Sequence, residues 1–220
     1  MTVRVTYEHE LEELNKDLRE MALMVERAIE QTFVAFEDQN YTLAEDVIKG
    51  DRLVNDMERS IESRCLSLIL RQQPVACDLR QSSTALKVVT DLERIGDHAS
   101  DIAELILRIR SEHAYHIVKH LPAMAQEAQK MVHDAVEAFI TQDLEEATKI
   151  IHMDDEVDSL FNKVKNDVIN LLKSSPDQAD QGIDLLMIAK YLERIGDHAV
   201  NVCEWTEFSK TGALKHVRIM

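Results

Sequence analysis

Two pairs of acidic residues, Glu93/Asp97 and Glu193/Asp197, occupy identical places in an octapeptide that occurs twice, LERIGDHA at 92–99 and at 192–199. On a helix, residues four apart lie on consecutive turns, with Cβ atoms about 5–6 Å apart. Two carboxylates at this spacing repel each other unless a cation lies between them, and carboxylate oxygens suit hard cations. The repeat therefore predicts two metal sites. The alternative is a solvated helix face whose ion pairs contribute under about 1 kcal/mol each.

Further acids extend these two rows. On a helical wheel Asp101 falls near the row of the first copy, on the side opposite the apolar stripe, whereas position 201 is Asn. The preceding helix of each half carries acids at the same spacing, and neighbouring antiparallel helices would set the rows side by side. We expect bound divalent or trivalent cations, namely iron, manganese or magnesium, as single ions or multinuclear clusters. The candidate ligands are Asp51, Glu93, Asp97, Asp101, Asp154, Asp158, Glu193 and Asp197.

A glycine and a histidine in each octapeptide bear on the same sites. Gly96 and Gly196 lie at the edge of the apolar stripe, although a glycine inside a helix costs about 1 kcal/mol relative to alanine. They predict a neighbouring helix that passes very close, and simple crowding of the core is the alternative explanation. His98 and His198 fall off the acid row, which favours a supporting role over a role as ligands.

The rest of the chain predicts long helices. Only 5 Gly and 3 Pro occur in 220 residues, and straight-chain residues dominate. The sequence FEDQNYTLAEDVIKGD at 36–51 aligns with FITQDLEEATKIIHMD at 139–154, so the duplication covers nearly the whole chain. We predict an all-α fold of two tandem antiparallel three-helix bundles, with domains 1–113 and 114–220. The six helices are expected near 5–38, 42–72, 76–112, 118–141, 143–173 and 177–209.

Charge and composition narrow the function classes. A formal net charge of −16 repels nucleic acids and anionic lipid. The apolar stretches are shorter than the roughly 18 residues that a membrane span needs, and the first residues lack the apolar region of a signal peptide. Three cysteines without a C-x-x-C motif predict reduced thiols. We therefore expect a cytoplasmic protein that binds no nucleic acid and does not insert into a membrane.

The duplicated LERIGDHA, the segment PVACDLR at 74–80 and the pattern Asp51-x-x-Val54-x-x-Met57-Glu58 closely resemble the PhoU family over essentially all 220 residues. The resemblance implies two three-helix bundles, often in a homodimer. It also implies an adaptor between the ATPase subunit of the phosphate ABC transporter and the sensor histidine kinase of the phosphate-starvation system. Such an adaptor damps uptake and signalling when phosphate is plentiful, and lies at the inner face of the membrane only through its partners.

The family's E/D-x-x-x-D motifs bind multinuclear metal clusters in some members. Carried over to this chain, Glu93/Asp97, Glu193/Asp197 and Asp154/Asp158 match the motif. Asp51 matches as well, but Asn55 stands at its partner position, which weakens the first site. The resemblance therefore implies that the two halves differ in metal affinity.

Three other functions compete with a non-enzymatic regulator. A metal-dependent hydrolase is the main alternative, because acid clusters can activate water. A di-iron oxidase would need Glu-x-x-His pairs that face the core, and the sequence contains none. A purely structural helical bundle would bind no metal at all.

Overall fold

The structure, a computed structural model, describes residues 3–109, 118–214 and 217–218. This part of the chain contains six long α-helices, which confirms the all-α prediction. They are α1 (Val3–Glu37), α2 (Tyr41–Gln72), α3 (Cys77–Arg108), α4 (Leu121–Thr141), α5 (Leu144–Ser174) and α6 (Ala179–Thr211). A 3-10 turn, Pro176–Gln178, precedes α6, and the short antiparallel strands β1 (Ala213–Leu214) and β2 (Val217–Arg218) follow it.

Side-chain caps and prolines set where the helices begin. Asn40 caps α2 by accepting a hydrogen bond from the Leu43 amide at 3.1 Å, and Asp143 caps α5 by accepting from two amides. The fourth and sixth helices begin later than predicted, because Pro122 lies in the first turn of α4 and Pro176 begins a 3-10 turn. The third helix ends at Arg108 and not at the predicted 112, because the backbone of Ile109 is extended. The predicted domain boundary at 113/114 lies outside the described residues.

The duplication is visible in the core of each half. Buried positions of α1 and α2 recur 103 residues later in α4 and α5, and those of α3 recur 100 residues later in α6. Examples are Met21 with Met124, Val54 with Val157 and Leu92 with Leu192. The same positions therefore carry each three-helix bundle, which confirms the internal repeat.

The two halves pack on each other through α3 against α6 and α1 against α4. Both contacts are antiparallel, since Arg19 pairs with Glu137 at 2.7 Å and Arg108 with Asp184 at 3.0 Å. Helix α2 packs on α1 and α3, and α5 packs on α4 and α6. The outer helices α2 and α5 thus each cover one face of their own half.

The cysteines are consistent with the expected reduced state. Cys65 and Cys203 are fully buried, and burial raises the pKa of each thiol to about 12. Cys77 is exposed at the start of α3. No helix among the described residues has the length and apolar character needed to cross a membrane.

Candidate metal centres

The two octapeptide glycines mark where an outer helix approaches an inner one. A Cβ atom built on Gly96 would lie 3.0 Å from Cγ1 of Val54, on α2. A Cβ atom built on Gly196 would lie 3.2 Å from Oδ1 of Asp154, on α5. Both distances are too short for an ordinary side-chain contact. The predicted close approach is therefore confirmed, and it brings the acid rows of the two helices together.

The first cluster joins Asp51 of α2 to Glu93 and Asp97 of α3. Burial raises the pKa of Asp51, and the charge of Asp97 raises it further. The pKa of Glu93 is likewise raised by burial and then by Asp97. Asn55 donates a hydrogen bond to Oδ2 of Asp51 at 2.9 Å, whereas Oδ1 is buried without a hydrogen-bond partner in the described part of the chain. Arg94 pairs with Asp97 at 2.7 Å and with Glu93 at 3.3 Å.

The second cluster joins Asp154 and Asp158 of α5 to Glu193 and Asp197 of α6. Burial, followed by the charges of four acidic neighbours (the other three acids of the cluster and Asp155), raises the pKa of Asp154 from 3.8 to about 6. The pKa of Asp197 is raised by burial and then by Glu193. Oδ1 of Asp154 is buried and, among the residues described, meets no hydrogen-bond donor. Lys190 contacts Glu193 and partly offsets the negative charge.

Both clusters hold carboxylates in surroundings that disfavour the charged form, and each contains one buried carboxylate oxygen that meets no donor from the described residues. A hard cation would satisfy both conditions, since it neutralises the charge and binds oxygen. Within residues 3–109 and 118–214, however, no three His, Cys, Asp or Glu side chains are already placed around a common ion position. Binding would therefore require rotation of these side chains, and the predicted ligands stay predictions.

Asp101 lies apart from the other predicted ligands of the first half. Its Oδ2 atom is 3.6 Å from Nδ1 of His98, and its charge and hydrogen bond contribute to the raised pKa of Tyr191 on α6. Asp101 also contributes, as the smallest cause, to the raised pKa of Asp51. It therefore stands at the edge of the first cluster, on the side that faces the second half.

Sequence reasoning missed the polar contact that joins the two halves behind these clusters. Oδ1 of Asp91 accepts hydrogen bonds from His198 at 2.8 Å and from Asn201 at 3.1 Å. Its Oδ2 accepts from Nε1 of Trp205 at 3.1 Å. The rings of His98 and His198 lie 5.5 Å apart, and burial followed by the His198 charge lowers the pKa of His98. The available signal was that Asp91 aligns with a tyrosine in the otherwise matching second copy.

Glu58 is a second residue that the ligand set omitted. Its pKa is raised by burial and then by the charge of Glu62, and Arg94 lowers it. Glu58 also raises the pKa of Glu93. It therefore belongs beside the first cluster, and its place was visible in the sequence as the next acid along the α2 row.

Comparison with known proteins identifies the family of this fold. The PhoU domain profile matches the chain twice, at residues 18–106 and 121–206. The chain is 40% identical over 210 residues to the phosphate-specific transport system accessory protein PhoU homolog of Clostridium acetobutylicum, covering 95% of this chain and 96% of that protein. It is 31% identical over 209 residues to the accessory protein PhoU of Escherichia coli, covering 94% and 87%.

Solved structures give the same result. The crystal structure of PhoU from Pseudomonas aeruginosa superposes with a TM-score of 0.85 at 31% identity, over 94% of this chain and all of that one. Two matches to one domain profile, full-length relatives and a shared fold lead to one conclusion. This chain belongs to the PhoU family.

Proposed function

We propose that this chain is a non-enzymatic regulator of phosphate uptake and of phosphate-starvation signalling. The observation that carries the proposal is the match over nearly the full length to relatives named phosphate-specific transport system accessory proteins, 40% identical in the nearest case described above. The domain profile of the family matches both halves of the chain, so both repeats of the family fold are present.

In this proposal the chain is an adaptor. It binds the ATPase subunit of the phosphate ABC transporter and the phosphate sensor histidine kinase, and it damps both when phosphate is plentiful. It works in the cytoplasm as a homodimer, and reaches the inner face of the membrane only through these partners. The acidic surface supports partners that are proteins, because a net charge of −16 disfavours nucleic acid and anionic lipid.

A complementation experiment tests this role. In Clostridium acetobutylicum, removal of the 40% identical relative should raise a phosphate-starvation reporter in phosphate-rich medium, and expression of this chain should return the reporter to its repressed level. Affinity-tagged chain should co-purify with the transporter ATPase and with the kinase, more strongly at high phosphate. Failure to lower the reporter, with the protein present at normal levels, would contradict the proposal.

The two acid clusters are the part of the proposal that concerns metal. We propose that Asp51, Glu93 and Asp97 hold one ion or ion cluster, with Asp101 at its edge. We propose that Asp154, Asp158, Glu193 and Asp197 hold the other. Support comes from the buried Oδ1 atoms of Asp51 and Asp154, which have no donor among the described residues, and from pKa values raised by burial and then by like charges. When bound, iron, manganese or magnesium would supply the positive charge that lets each outer helix lie against its inner helix.

Titration calorimetry with Mn²⁺, Mg²⁺ and anaerobic Fe²⁺, together with elemental analysis, tests the metal sites directly. A variant in which all four acids of the second cluster are replaced by their amides should lose about half of the bound metal. A matched control replaces Asp155 and Glu156, which are exposed acids on the same helix, and should keep all of it. Equal binding by both variants would show that the metal is held by general surface charge.

An activity assay distinguishes the hydrolase alternative from the adaptor. Protein loaded with Mn²⁺ should not hydrolyse p-nitrophenyl phosphate above the rate of the free ion. Turnover that is lost in Asp97→Ala and in Asp197→Ala would favour the hydrolase over the adaptor.

A further inference from the structure

A small apolar cleft opens between α1 and α2 in the first half. Its lining includes Met24 and Ala28 of α1, Val47 and Val54 of α2, and Gly96 of α3. Leu53 stands at its edge and is 61% exposed, although leucine favours burial. We call this feature the α1/α2 cleft.

The second half fills the equivalent space. In the repeat alignment Ala28 corresponds to Met131, which is fully buried, and its Cε lies 3.9 Å from the Cβ position of Gly196. Gly50, which also lines the cleft, corresponds to Met153, which packs against the core. In the second half, the side chains of Met131 and Met153 therefore fill the space that Ala28 and Gly50 leave open in the first half.

The rim of the cleft also differs between the two halves. Met24 and Leu53 of the cleft correspond to Glu127 and Glu156 in the second half, so the apolar rim of the first half is replaced by charge. The first half therefore presents an apolar surface that the second half lacks.

Gly50 keeps the cleft open without a local packing reason. A Cβ atom built on it would meet no heavy atom within 4 Å in the described part of the chain, unlike one built on Gly96. A glycine inside a helix costs stability relative to alanine, so its presence here is not explained by the packing of this fold alone. An occupant that comes close to the backbone of α2 would explain it.

We propose that the α1/α2 cleft binds one apolar side chain from a basic segment of a partner protein. The cleft is bordered by Asp46 and Asp51, and Asp51 also belongs to the first acid cluster, while Arg27 is the basic residue of the rim. The chain carries a formal net charge of −16, so a segment rich in Lys and Arg would be attracted to this acidic border. This inference goes beyond the proposed function and does not depend on it.

Peptide binding to the full-length, metal-free chain tests the proposal. The probes are fluorescent basic peptides of identical charge that differ only at a central Leu, Met or Gly, measured by anisotropy at physiological salt. We expect the Leu and Met peptides to bind about tenfold more tightly than the Gly peptide, because the cleft buries their side chains. The methyl carbon resonance of Met24 should shift with the Leu and Met peptides but not with the Gly peptide.

Matched variants locate the effect. Gly50→Met introduces the residue of the second half, and should reduce the Leu-to-Gly affinity ratio to about one while keeping the binding that charge alone provides. Gly50→Ala adds only one methyl group to the cleft and should reduce the ratio by less than Gly50→Met does. Leu53→Glu, which also copies the second half, is a second test if Gly50→Met does not fold.

Several outcomes would overturn the proposal. One is an absence of Leu preference in the wild type, and another is a preference that survives in Gly50→Met. A peptide with Glu in place of Lys and Arg that binds equally well would remove the argument from charge. Ultracentrifugation supplies the last outcome: if Gly50→Met dissociates a dimer, the occupant is a second copy of the chain.

Discussion

Replacing the carboxylate of Asp154 should weaken metal binding but stabilise the metal-free protein. Its Oδ1 atom lies buried at 3.2 Å from the Cβ position of Gly196, and burial together with like charges raises its pKa from 3.8 to about 6. We expect Asp154→Asn to make the metal-free protein more stable at pH 7.5. The substitution keeps the shape of the side chain and removes a negative charge that its surroundings disfavour.

The magnitude and its pH dependence follow from the pKa. A rise from 3.8 to about 6 corresponds to about 3 kcal/mol of unfavourable free energy once the group is ionised. Asp154 is only partly buried, so solvent screening reduces the expected gain to about 1–2 kcal/mol. Between about pH 4 and pH 6 the folded state binds more protons here than the unfolded state, so wild-type stability falls as pH rises. The advantage of the variant should be small near pH 4 and complete above pH 6.

Urea unfolding followed by circular dichroism, on protein dialysed against chelator, measures the effect at pH 4.5, 6.0 and 7.5. Asp51→Asn is the matched control, because Asn55 already donates to Asp51 and lowers its pKa, so its gain should be smaller. Added Mn²⁺ at about 100 times its Kd should stabilise the wild type by about 2.7 kcal/mol and Asp154→Asn by less. The advantage of Asp154→Asn should therefore shrink when metal is added.

Two results would refute this reasoning. A metal-free Asp154→Asn protein that is less stable than the wild type at pH 7.5 would show that the carboxylate is satisfied by a donor in solution. A gain that does not change between pH 4.5 and pH 7.5 would show that it has no electrostatic origin.

Three further predictions concern the helix packing beside the glycines, the contact between the halves and the burial of the cysteines. Gly96→Ala should lower the free energy of unfolding by about 1–2 kcal/mol, because a rigid buried valine stands 3.0 Å away, whereas Gly50→Ala should raise it by about 0.5–1 kcal/mol; urea midpoints compare the two. Asp91→Ala removes the acceptor of three hydrogen bonds between the halves and should cost about 2 kcal/mol in the same assay, and an unchanged midpoint would mean that water replaces it. Ellman's reagent at pH 8 should label Cys77 at once and the two buried thiols only after unfolding, since burial raises their pKa to about 12; fast labelling of all three would contradict the described core.

The fold was predictable because composition, hydrophobic periodicity and the internal repeat all indicate the same arrangement of helices. Long helical periods, few breakers and a duplicated core pattern leave little choice beyond two three-helix bundles. The helix ends were less predictable. The second helix was expected to begin near 42, but Asn40 supplies the cap two residues earlier and α2 begins at Tyr41. Such choices depend on which of several polar side chains reaches a free amide, and composition alone does not decide that.

The site was predictable as far as one helix determines it. The four-residue spacing places Glu93 beside Asp97 on any α-helix, independently of the rest of the fold. Gly96 indicated that α2 passes close to α3. A helical wheel has no information about which neighbour covers each face. Asp101 therefore looked like a member of the acid row, whereas the structure turns it toward His98 and Tyr191. The contact of Asp91 with the second half was invisible for the same reason.

The packing of the two halves brings the two copies of the octapeptide into contact through their histidines. Each copy of LERIGDHA meets two neighbours: its acids and glycine face the outer helix of its own half, and its histidine faces the other copy across the α3–α6 contact. A substitution in one copy therefore alters a surface against which the other copy packs. The outer helices have no such constraint, and they differ at Gly50 and Met153 and at Asn55 and Asp158. His98 and His198 follow Asp97 and Asp197 directly in the sequence, so a cation that repositions either aspartate acts one residue away from the contact between the halves.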